Sequence, residues 1–81
     1  MNLEALQVAR HVIGVKQVTK ALKRGSAACV FIAGDAEQAI VASIVEMAEA
    51  GGVELQTVAS MKELGTACGI EVGAAAAAAL K

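Results

Sequence analysis

The segment Gly14-Val15-Lys16-Gln17-Val18-Thr19-Lys20 holds the most informative polar chemistry in the chain. A glycine directly ahead of a helix lets another backbone come close, and the free N–H groups of the first turn attract phosphate. Lys16 and Gln17 project from that first turn, where base edges would lie if the helix end entered a groove. A lysine donates to guanine O6 and N7, and a glutamine both donates and accepts at a base edge. Lys20, Lys23 and Arg24 follow on the same side and can pair with phosphates. By spacing alone, a solvated lysine face on an amphipathic helix explains these residues equally well.

Other constellations carry less. His11 is the lone histidine and has no Ser or Cys that the sequence can place beside it. Neither a phosphate-binding Walker loop nor a dinucleotide glycine fingerprint occurs. Asp35 and Glu37 stand close together at the start of a helix, where carboxylates serve capping and the helix dipole. Cys29 and Cys68 lack the spacing of a redox pair, and one histidine is too little for a zinc site. Both thiols are expected to be reduced and mostly buried. The chain is therefore expected to be no enzyme and to use no cofactor or metal.

Eighty-one residues make one domain, spanning 1–81, and a chain this short buries only about 60–65% of its unfolded surface. A hydrophobic fraction of 57% argues against disorder. One Phe, no Tyr and no Trp leave no platform on which bases could stack, which excludes the aromatic single-strand binders. No apolar run reaches the roughly 18–20 residues of a membrane span, and the N-terminus lacks the order of a signal peptide. A cytoplasmic protein without membrane contact, acting as a monomer, is expected. The net charge of −1 hides a polarity. Residues 5–34 contain Arg10, Lys16, Lys20, Lys23 and Arg24 with no acid, a balance of +5. Residues 35–81 carry −5, and Glu4 supplies the remainder. A basic side of this kind suits a polyanionic partner.

The elements that must position these groups alternate between helix and strand. Asn2 caps a helix to about Arg10, and His11-Val12-Ile13 is a short β-prone piece. Val15 to Arg24 is helical again, with Val15, Val18 and Leu22 on one face and Gly25 closing it. Ala28 to Ala33 is a continuous apolar run, typical of a strand covered on both faces. Asp35 caps a helix from Glu37 to Ala50, with Ile40, Ile44 and Met47 inward and Gly51-Gly52 as its stop. Val53 to Val58 alternates with period two and reads as a strand. Ser60-Met61-Lys62-Glu63 is a capping box opening a short helix to about Cys68, followed by a loop at Ile70-Glu71-Val72-Gly73. Ala74 to Ala79 favours helix by propensity, but the preceding order asks for a closing strand. The expected architecture is α/β, a three-layer α/β/α sandwich around a four-stranded mixed sheet.

Two motifs keep their order and spacing across nearly the whole chain. They run from Gly14-Val15-Lys16-Gln17 through Lys20-Ala21-Leu22-Lys23-Arg24-Gly25, and from Ser60-Met61-Lys62-Glu63-Leu64-Gly65 through Cys68-Gly69-Ile70-Glu71-Val72. In these the chain resembles the kink-turn-binding ribosomal-protein superfamily, which includes the archaeal L7Ae and eukaryotic L30e types. It is most similar to the short bacterial YbxF-like branch. The resemblance implies recognition of kink-turns, sharply bent RNA duplexes with a bulge followed by tandem sheared G·A pairs, on the ribosome or in another structured RNA. It assigns base contacts to Lys16 and Gln17, with Gly14, Val15, Lys20 and Arg24 around them. It also implies that Ile70 and Val72, with Glu71 between them, cover the unstacked bulge nucleotides.

Archaeal and eukaryotic members usually carry Asn-Glu where this chain has Lys16-Gln17. Longer members continue past the position of Lys81 into a further helix, so their surface for protein partners is expected to be absent. The competing reading is a protein-interaction or assembly module on the same fold without specific RNA binding. The basic first turn and the loop at Ile70-Glu71-Val72 together favour RNA.

Overall fold

The computed structural model describes residues 2–81. Its elements run α1 (Leu3–Val8), β1 (His11–Ile13), α2 (Val15–Arg24), β2 (Ala27–Ala33), α3 (Gln38–Ala50), β3 (Glu54–Val58), α4 (Met61–Ala67) and β4 (Ala76–Leu80). The strands form one mixed sheet in the order β1-β4-β2-β3. β4 is antiparallel to both β1 and β2, whereas β2 and β3 are parallel. Helices α2 and α3 pack together on one face, and α1 and α4 cover the other. The three-layer sandwich expected from the sequence is the one observed.

The alanine run resolves as an interior strand, with Ala74 and Ala75 outside it and Leu80 included. Ala76, Ala77, Ala78 and Ala79 are all fully buried between β1 and β2. Helix propensity loses because a strand here satisfies both edges of its backbone, and methyl side chains let helices close over both faces. The larger side chains fill the space beside it: Leu6, Val18, Val30, Phe31, Ile44 and Leu64 are completely buried. The caps follow the sequence in two places. Asn2 Oδ1 accepts from the N–H of Ala5 at 2.9 Å, and Ser60 Oγ accepts from the N–H of Glu63 at 3.1 Å.

Four details depart from the sequence reading. Helix α1 ends at Val8, because Ala9 turns extended, and Val8 is left exposed. Helix α3 starts at Gln38 with Glu37 at its N-cap position, since the N–H of Ala36 is already engaged by Ala33 in a turn. That late start sets the helix phase. Val41, Ile44 and Ala48 face the core, while Ile40 is 43% exposed and Met47 only half-buried. Asp35 does not cap α3 at all; its carboxylate accepts from the N–H of Met61 at 2.8 Å and so holds the start of α4. Finally, Cys29 is buried as expected, but Cys68 is only half-buried at the end of α4; both are free thiols.

Candidate nucleic-acid interface

Gly14 sets the approach to α2. Its φ of 97° and ψ of 152° lie in a region that side-chain-bearing residues avoid. Nothing lies within 4 Å of where its Cβ would stand, so the backbone angle, not crowding, requires the glycine. The Gly14 N–H donates to the Ala76 carbonyl at 2.9 Å, tying the helix start to the first residue of β4. No side chain caps α2, and its first turn holds no acid. The N–H groups of Val15, Lys16 and Gln17 thus open outward without a side-chain acceptor, a geometry that favours an anion.

Helix α2 buries Val18 and Ala21 and turns Lys16, Gln17, Lys20, Lys23 and Arg24 to solvent. Val15 is half-buried, and Thr19 spends its hydroxyl on the Val15 carbonyl at 2.8 Å. The polar face is therefore open from end to end. Lys16, Gln17 and Lys20 share its first half. Arg24 stands eight residues beyond Lys16, roughly 12 Å along the axis at 1.5 Å per residue, and belongs to the opposite end of the helix.

The second motif reaches the same end of the sheet through β4. Gly69, at φ 81°, turns the chain out of α4, and the N–H of Ile70 returns to the Gly65 carbonyl at 3.0 Å. The N–H of Ala74 then bonds the Met61 carbonyl at 3.0 Å, and the chain enters β4 two residues later. Ile70 packs partly against the core, whereas Glu71 is exposed and Val72 is 70% exposed. Met61 borders the loop, its Cβ 3.0 Å from where a Cβ on Gly73 would stand, and is itself exposed. The loop thus offers Val72 to solvent four residues before Ala76, the same residue that anchors Gly14.

One residue holds this arrangement that its type alone does not announce. Gly65 is buried within α4, and a Cβ there would overlap the carbonyl oxygen of Val72. Its missing side chain is what lets the loop lie against the helix. The signal in the sequence is a glycine inside a helical segment, a residue disfavoured there unless close packing needs it. Away from this end, a shallow groove between α1 and α4 is lined by Leu3, Gln7, Thr66 and Ala67 with Glu4, Lys62 and Glu63 at its margins. Its charges are mixed, and no polar groups converge within it. Among the described residues no cluster of side chains could hold a metal ion, and no helix is long and apolar enough to cross a membrane.

A family model described as the Ribosomal protein L7Ae/L30e/S12e/Gadd45 family matches residues 3–81. An RNA-binding protein from Geobacillus sp. (strain WCH70) is 44% identical over 78 residues, covering 96% of this chain and 95% of the relative. An RNA-binding protein from Bacillus pumilus (strain SAFR-032) is 52% identical over 67 residues, covering 83% and 82%. Among solved structures, the Giardia lamblia 15.5kD RNA binding protein superposes with a TM-score of 0.89 at 29% identity, covering 98% of this chain and 70% of that one.

Proposed function

Because the chain belongs to the Ribosomal protein L7Ae/L30e/S12e/Gadd45 family, we propose that it binds RNA and recognises the kink-turn. In this reading residues 1–81 act as one RNA-binding domain in the cytoplasm, on ribosomal RNA or another structured RNA. Its relatives are RNA-binding proteins rather than enzymes, and its role is to hold an RNA shape.

The observation that carries the reading is the Gly14–Ala76 hydrogen bond. Through it, two motifs with 34 residues between them present an uncapped basic helix start and an aliphatic loop at one end of the sheet. An A-form groove is too narrow for side chains, and a kink opens it. Lys16 and Gln17 would meet guanine edges at the sheared pairs, with Gly14 and Val15 letting the RNA backbone approach and Lys20 on phosphate. Ile70 and Val72 would cover the unstacked bulge bases, with Glu71 between them. Aliphatic cover suits a chain with a single, fully buried aromatic, Phe31.

The test is titration of a kink-turn RNA and a control whose sheared G·A pairs are replaced by Watson–Crick pairs, at matched salt. The kinked RNA should bind tighter by at least one bidentate contact, on the order of 1–3 kcal/mol or tenfold and more. Gln17→Ala should reduce that ratio. Equal affinity of the unmutated protein for both RNAs would leave only charge attraction and return a protein-interaction module to first place.

A further inference from the structure

We propose that a second basic surface, at the end of the sheet opposite the α2 N-terminus, holds phosphates of a duplex stem that leads away from the kink. It comprises Arg10, Lys23, Arg24 and Lys81, which three separate chain segments contribute. The Leu80 N–H donates to the Arg10 carbonyl at 2.7 Å, which places Arg10 beside the end of β4. The Lys81 N–H donates to the Ser26 carbonyl at 2.9 Å, which places Lys81 beside the start of β2. Ser26 in turn follows Lys23, Arg24 and the left-handed Gly25, and its N–H closes on the Ala21 carbonyl at 3.0 Å. Neighbouring strands lie about 4.8 Å apart, so these backbone bonds place the four residues on adjacent segments at one end of the sheet.

All four residues are exposed. Lys23 and Arg24 have an ordinary explanation, because cations at a helix C-terminus complement its dipole. Arg10 and Lys81 have no such role; both flank β-strands and neither covers the core. The segments that build this corner, residues 5–34 and 72–81, contain no acidic side chain. Among the acids of neighbouring elements, Glu49 and Glu54 stand on α3 and β3, beyond β2, and Glu4 stands on α1, which packs with α4 rather than with α2. Helix α2 joins the two basic ends, and its ten residues separate them by roughly 15 Å. A polyanion engaged at Lys16 and Gln17 can follow the exposed α2 face from Lys20 to Arg24 and reach the corner without crossing an acidic side chain of α2. Nothing in the corner is shaped to read bases. It is a site for backbone charge, and its effect falls on affinity and salt dependence rather than on specificity.

This inference rests on the RNA-binding reading, and the experiment separates the two. Three kink-turn RNAs, one with minimal stems, one extended on the first stem and one extended on the second, are compared with the control whose sheared G·A pairs are replaced by Watson–Crick pairs. The partners are the unmutated protein and the double variant Arg10→Gln/Lys81→Gln, whose exposed side chains leave the melting temperature as a check on folding. One extended RNA should bind the unmutated protein about tenfold tighter than the minimal one at low salt. Its log–log salt slope should be steeper by about 0.7–0.9 for each added phosphate contact. The double variant should bind the minimal RNA normally and lose that gain. Loss of discrimination between kinked and paired RNA with the stem-length gain intact would overturn the kink reading alone. Discrimination with no gain from either extension, or a gain that survives the double variant, would overturn the corner; a surface kept for an acidic protein would give the first of these.

Discussion

Gly65→Ala tests whether the loop at Ile70-Glu71-Val72-Gly73 depends on its contact with α4. The added Cβ would overlap the Val72 carbonyl oxygen, and it would lie 3.1 Å from the carbonyl carbon of Val72 and 3.3 Å from the Cα of Gly73. Every one of these neighbours is backbone, so no side-chain rotation relieves the contact and the loop itself must retreat. Alanine improves helix propensity over glycine by about 0.8–1 kcal/mol. Overpacking costs typically about 1–3 kcal/mol, and an obstruction by backbone belongs to the upper part of that range. The net effect is a loss of about 1–2 kcal/mol, which for a domain this small lowers the melting temperature by roughly 4–16 °C. The functional consequence is separate. In the proposed reading, a displaced loop would carry Ile70 and Val72 away from the bulge bases while α2 keeps its charge. Discrimination between kinked and paired RNA should therefore fall at temperatures where the variant is folded, with affinity for the paired control unchanged. Thr66→Ala, at the exposed next position, should alter neither quantity. An unchanged melting temperature with unchanged discrimination in Gly65→Ala would refute the argument.

Two further outcomes are expected. Gly14→Ala should cost about 1–3 kcal/mol by urea denaturation, as strain alone, because the backbone there is in a glycine-only region and the methyl meets nothing within 4 Å; full stability would show that the φ is not required. The Cys29 thiol is pushed up from 9.0 to about 11, first by burial and then by the neighbouring Glu54 carboxylate. The folded state thus holds this proton more tightly than the unfolded chain, so the associated stability is fully present below pH 9.0 and fades as pH rises through about 11. Cys29→Ala, which should cost about 1–2 kcal/mol near neutral pH as a small cavity, should flatten that alkaline decline; an identical decline would assign it to other groups.

Much of the fold was legible because local signals agreed with the global pattern. The capping box at Ser60, the left-handed Gly25 and the apolar run of β2 each point to the element observed. Element order decided Ala76–Leu80 where propensity misled, since only a strand fills the gap between β1 and β2. What the sequence hid were relations between distant residues. Asp35 looks like a cap for the helix that follows it in the chain. Its carboxylate instead serves a helix start twenty-six residues away, because β2 and β3 are parallel and end side by side. The phase of α3 was misread for a related reason: the inward face depends on where the first turn begins, and the Ala33–Ala36 turn delayed it.

The candidate interface divides along the same line. Residue types and spacing exposed Lys16, Gln17 and Lys20, since an uncapped basic first turn is a local feature. Ile70 and Val72 are grouped with them only by the family resemblance; the structure adds that their loop leads into β4, whose first residue receives the Gly14 N–H. Ala76 receives the Gly14 N–H at one end of β4, and Lys81, just past the strand's other end, donates to Ser26. A single strand of small residues therefore fixes both basic ends of α2 relative to the sheet. Alanine suits this duty because the strand is covered on both faces, and larger side chains would lift α2 away from the edge where Gly14 must bond. The least distinctive stretch of the sequence thus determines whether its two distinctive motifs meet.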